Sequence, residues 1–136
     1  RVCAFAILPL GSAAAPHCPA LAACLAEEHW ELREAAAQAL GAIGGREAAA
    51  EAPALALSLG DTSSHVRAAA VEALQRLGST VAMPAAGAQL RSGNWRARKA
   101  AVQVFIGLGS DAAPYATELA RLLEDMDRHV REVAAL

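Results

Sequence analysis

Aromatic side chains are scarce in this sequence, with two Trp, two Phe and one Tyr among 136 residues. The scarcity argues against a β-rich core, which draws on aromatic, Val, Ile and Thr side chains to cover a pleated surface. A surplus of positive charge is missing too. The formal net charge is −2 and the pI about 6.1, whereas a nucleic-acid interface needs a basic stripe to neutralise phosphates. Only Arg91–Lys99 is locally basic. No apolar run approaches the roughly 18 residues of a membrane span. The three cysteines, Cys3, Cys18 and Cys24, form no CxxC. An odd number without ligand spacing points to reduced thiols buried in an intracellular protein, not to a disulfide framework. Val2–Leu10 with Ser12–Ala15 has the outline of a secretory leader. The same residues also fit the repeat described next, and without an initiator Met the expectation is a fragment whose first helix is cut at its start.

What is abundant is alanine, about a quarter of the chain. Alanine is the best helix former and takes little room, so helices can pack closely through it. The alanines recur in a pattern. Val66-Arg67-Ala68-Ala69-Ala70-Val71-Glu72-Ala73-Leu74-Gln75-Arg76-Leu77-Gly78 has counterparts in Leu32–Gly44 and Ala97–Gly109. A fourth copy opens at Val130-Arg131, and Leu10-Gly11 closes an incomplete one. A period of roughly 31–34 residues holds two helices and two turns. It divides the chain into units of about 1–27, 28–61, 62–92 and 93–125, with 126–136 truncated.

Each copy carries its own punctuation. His29, Ser63, Asn94 and Asp127 stand at the helix start, and all but the histidine are good N-caps. Gly44, Gly78 and Gly109 stand at its end, where a left-handed residue is needed. Leu32, Ala36, Ala39, Leu40 and Ile43 keep helical spacing between these signals. The second helices are expected over Ala15–Glu27, Glu47–Leu59, Ala82–Arg91 and Pro114–Glu124. Pro19, Pro53 and Pro84 sit at matching places, suited to a first turn or to a bend.

The valine-arginine pair, the alanines, the leucine and the closing glycine resemble the HEAT-repeat family, and within it the phycobilisome-lyase type. The resemblance covers nearly the whole chain and implies an all-α fold, a right-handed α-α superhelix (α-solenoid) of two-helix repeats. It also implies a ladder between repeats, made by an acid six residues before each arginine. Glu27 precedes Arg33, Asp61 precedes Arg67 and Asp125 precedes Arg131 in this way, while Ser92 replaces the acid before Arg98. Simple electrostatics agrees. Arg33, Arg67, Arg98 and Arg131 each fall in a first helical turn, where a cation is disfavoured unless a carboxylate of its own or the next repeat meets it.

Catalytic chemistry finds no foothold. Equivalent positions of neighbouring repeats lie about 8–10 Å apart. His65 and His129, two repeats apart, therefore cannot share a metal ion whose ligands sit near 2 Å. His17 and His29 lack a convergent partner. Deoxyhypusine hydroxylase, a HEAT-like enzyme, binds iron through His-Glu dipeptides, and this sequence has none. Ser12, Ser79 and Ser110 follow helix-ending glycines and are turn residues. Gly41, Gly44 and Gly45 lie at a helix C-terminus, the wrong end for a phosphate loop. No cofactor, metal or catalytic group is expected.

Two surfaces could receive a partner. Trp30 and Trp95 share one repeat position, as contact anchors or as covers for the adjoining helix end. On the second helices, Ala20 with Ala23, Ala54 with Leu57, and Ala85 with Ala88 stand where a later copy has Glu118 and Arg121. Such a smooth apolar strip marks an interface. The expectation is a non-catalytic interaction scaffold or a subunit of a larger assembly, binding another protein through the inner second-helix face or the Trp-bearing edge. The resemblance allows two alternatives, a bilin lyase or chaperone acting on phycobiliproteins and a nucleic-acid-binding solenoid. The missing basic groove disfavours the second.

Overall fold

The computed structural model describes residues 18–108 and 115–121. Within them the regular structure is helical: α1 (Cys18–Cys24), α2 (Trp30–Ile43), α3 (Gly45–Ala49), α4 (Ala52–Ser58), α5 (Ser64–Leu77), α6 (Ser79–Gln89), α7 (Trp95–Leu108) and α8 (Ala116–Arg121). The long helices α2, α5 and α7 stack side by side in one layer, and α4 and α6 stack in a second layer against them. This is an α-solenoid, in which each helix pair buries its apolar side mainly against its neighbours.

The stack follows from the repeated stripe. Leu32, Ala35, Ala36, Ala39 and Leu40 are buried in α2, Val66, Ala69, Ala70, Ala73 and Leu74 in α5, and Ala97, Ala100, Ala101, Val104 and Phe105 in α7. These are the same five positions of each copy, at the spacing of one helical face. Leu21, Leu55, Leu59 and Leu90 of the second layer complete a core that runs through the described stack. Small residues bring the helices together. A Cβ on Gly41 would lie 2.9 Å from the Ala73 Cα, so α2 and α5 meet nearly backbone to backbone there.

The ends of the long helices differ from expectation in one detail. Gly44 and Gly78 do take positive φ, 63° and 93°. At the starts, however, neither His29 nor Ser63 caps through its side chain. The Ser63 N–H instead donates to Asp61 Oδ1 at 2.9 Å. Asn94 does cap, its Oδ1 accepting the Arg96 N–H at 3.0 Å.

The second helices need a larger correction. The single helix expected over Glu47–Leu59 is broken at Ala50–Glu51 into α3 and α4. Its counterpart runs unbroken from Ser79, with Pro84 inside it. Proline removes one helical N–H wherever it falls. Three residues fewer separate Gly78 from Pro84 than Gly44 from Pro53, which leaves no room for a separate turn of helix before the proline. The lost bond falls on the carbonyl of Thr80, an exposed residue that water can satisfy.

Candidate functional site

The repeat arginines are fixed first, since they bound the surfaces on either side. Arg33 holds Asp61 in a two-pronged pair, Nε to Oδ2 at 2.8 Å and Nη2 to Oδ1 at 3.0 Å. Its Nη1 donates to the carbonyl oxygens of Glu27 at 2.7 Å and Glu28 at 2.8 Å. The residue six before the arginine therefore contributes its backbone, and the carboxylate comes from the next repeat. The hydrogen bond to Asp61 is the main cause that raises the Arg33 pKa above its ordinary value.

Arg67 repeats only half of this. Its Nη1 donates to the Asp61 carbonyl at 2.7 Å and the Thr62 carbonyl at 3.1 Å. The place equivalent to Asp61 holds Ser92, whose Oγ accepts the Asn94 N–H at 3.1 Å. Ser92 thus does the local work that Asp61 does for Ser63, but it offers Arg67 no carboxylate. Asn94 ties the loops in a neutral way, its Nδ2 donating to the Gly60 carbonyl at 3.0 Å. Burial, and then the charge of Arg96, push the Arg67 pKa below its ordinary value. Arg98 donates from Nη1 to the Ser92 carbonyl at 2.8 Å. Arg131 and Asp125 lie outside the described residues.

Beside Arg67 a cavity of about 220 Å³ opens between the starts of α5 and α7, lined by Ser64, Arg67, Trp95, Arg96, Lys99 and Gln103 among others. Sequence reasoning marked Arg96 and Lys99 only as part of a locally basic stretch, without a site, and did not single out Gln103. The substitution at Ser92 was the signal that could have led there.

The second-helix face carries the strongest apolar feature. A groove of about 530 Å³ runs between α4 and α6, walled by Pro53, Ala56, Leu57, Val81, Pro84, Ala85 and Ala88, with Gln89 its one polar side chain. A smaller hollow of about 240 Å³ lies on the other side of Leu57, between α1 and α4, with Ala22, Ala26 and Ala54 in its wall. Leu57 is the ridge between the two and is 73% exposed. Ala23 and Ala88 are exposed as well. Ala54, in the smaller hollow, and Ala85, in the groove, are half-buried and pack partly on the core, so each is floor more than rim. The side chain of Ala20 lies outside the described residues.

The tryptophans are engaged with their own chain. Trp30 stacks on His65 at the start of the next long helix, with ring centroids 4.8 Å apart and planes 20° apart, and stays 39% exposed. Trp95 is half-buried against the core, and the Arg96 guanidinium lies 4.8 Å from its ring centroid. Cys24 is a free, half-buried thiol. The described residues contain no group of three or more His, Cys, Asp or Glu side chains able to hold a metal ion. Among them no helix is long and apolar enough to cross a membrane.

A family model described as HEAT repeats matches residues 18–105. Among solved structures, the chain is similar to an engineered protein studied by the Northeast Structural Genomics Consortium, at 23% identity and a TM-score of 0.50. The match covers 85% of this chain and 58% of that one, so the chain spans a little over half the length of that structure. The similarity speaks for the shared fold alone. No match was found among curated proteins.

Proposed function

Because the chain belongs to the HEAT-repeat family, we propose that it is a non-catalytic scaffold whose second-helix face binds an amphipathic helix of a partner protein within a larger assembly. The units near 28–61, 62–92 and 93–125 would then act as one continuous platform. One observation carries the proposal: a leucine left 73% exposed on the ridge between an apolar groove and a smaller hollow that Ser58 and Asp61 share with alanines and leucines. Isolated exposed apolar residues are ordinary, whereas a contiguous apolar groove with a central anchor is where helices dock. Leucine and proline walls give a helix face something to interdigitate with, and the alanine floor allows close approach. The tryptophan edge is the weaker candidate because both rings are already covered in part.

The half-buried state of Ala54 and Ala85 decides which substitutions test this. A glutamate at either would disturb packing, so Leu57→Glu and Ala88→Glu are the informative changes. Affinity capture with the full-length protein, followed by identification of the bound species, should yield a partner that both variants lose. Their helical circular dichroism should match the parent, with Tm moved by no more than about 2 °C, as for other surface substitutions. Capture of the same partner by Leu57→Glu at parental strength refutes the proposal.

A further inference from the structure

We propose that the cavity between the starts of α5 and α7 receives an Asp or Glu carboxylate from a partner protein, in the place that Asp61 fills one repeat earlier. The protein supplies its own template for this contact. Arg33 and Arg67 are equivalent residues with equivalent carbonyl bonds through Nη1. On Arg33 the remaining edge, Nε and Nη2, is occupied by Asp61. On Arg67 that edge has no hydrogen-bond partner among the described residues, and Arg96 and Lys99 stand beside it in the cavity wall.

Arg67 and Arg96 repel one another across a hollow that Lys99 also lines: burial first, and then the Arg96 charge, lower the Arg67 pKa against a raising contribution from Asp61. A bound anion reverses that repulsion. The cavity, about 220 Å³, is ample for a carboxylate, since by the same measure a water molecule needs only about 10–15 Å³. A planar guanidinium edge favours a planar two-oxygen acceptor, held in two parallel bonds. Ser64 and Gln103 in the same wall add neutral hydrogen-bonding groups. No carboxylate among the described residues lines the cavity, and the proposed acceptor is the partner's. A polynucleotide would need the basic surface to continue, and the chain as a whole carries −2.

The source of the carboxylate, a partner protein, rests on the scaffold role, while the pocket itself does not. The test is therefore made with a free probe, a fluorescein-labelled hexa-aspartate peptide, binding to the whole chain by anisotropy at low salt. Binding is expected, weakened roughly tenfold by Lys99→Gln and by a rise to physiological salt, where the Debye length falls to about 8 Å. Ser92→Asp is the decisive variant. It places a carboxylate on Arg67 from within the chain, so it should abolish peptide binding and raise Tm by about 3 °C. No binding to the parent, or binding undiminished in Ser92→Asp, overturns the inference. So does tighter binding of inorganic phosphate or of an oligothymidylate than of the peptide. Leu57→Glu, which tests the scaffold groove, should leave peptide binding unchanged, and this separates failure of one proposal from failure of the other.

Discussion

Arg33→Ala is expected to lower stability by about 3 kcal/mol, roughly 10 °C in Tm for a chain of this size. Exposed ion pairs seldom matter to this degree, because solvent screens them and holding two long side chains costs entropy. This pair is different. The Arg33 and Asp61 side chains are only 14% and 12% exposed, and the geometry is two-pronged. The alanine variant also removes the bonds to the part-buried carbonyl oxygen of Glu27 and to that of Glu28, which water can reach. Arg67→Ala should cost about half as much, since it removes two carbonyl bonds but no carboxylate bond and relieves the repulsion from Arg96. A double-mutant cycle between Arg33 and Asp61, read by denaturant unfolding, should give a coupling of about 2 kcal/mol. A coupling below about 0.5 kcal/mol would place the pair with ordinary surface contacts.

Gly41→Val is the second large effect, expected at about 3 kcal/mol, near the upper range for overpacking. The first added carbon already meets the Ala73 Cα at 2.9 Å and its Cβ at 3.0 Å. Backbone cannot swing aside as a flexible side chain can, so α2 and α5 must separate, and the contact layer above and below them loosens. Gly44→Ala supplies the contrast. Nothing lies within 4 Å of its added carbon, and only the backbone conformation resists, φ 63° with ψ −159°, for about 2 kcal/mol. Equal losses from the two variants would mean that the close approach is unimportant.

Much of this architecture could be read from self-comparison of the chain. A stripe that returns at Leu32, Val66 and Ala97 can be satisfied by stacking, and the buried positions agree across α2, α5 and α7. The second helices were less legible. Pro53 and Pro84 look equivalent in sequence, yet one follows a break and the other sits within a helix, because the spacer before them differs in length. Spacing also misleads at the arginines. Six residues separate Asp61 from Arg67, but the Asp61 carboxylate is hydrogen-bonded to Arg33, and its carbonyl is what Arg67 bonds. Three-dimensional neighbours one period apart are invisible to a local motif.

Alanine hides direction in the same way. It is at home inside and outside a protein, so Ala54, Ala85 and Ala88 cannot be sorted by identity into floor and rim. Leu57 can, once its exposure is known. The cavity beside Arg67 left two traces in the sequence, the basic stretch Arg91–Lys99 and the serine standing where the other copies carry an acid.

The two loop ties described above give the stack unequal springs. Between the Arg33 copy and the next, an ionic clamp with short bonds resists rotation of one helical pair over another. Between the Arg67 copy and the next, neutral amide-to-carbonyl bonds, Asn94 to Gly60 and Gln75 to Gln103, do that work. Stiffness in a linear array is set by its most compliant joint. Of the two described joints the Ser92 corner is therefore the more compliant, and whatever fastens that corner stiffens the stack there.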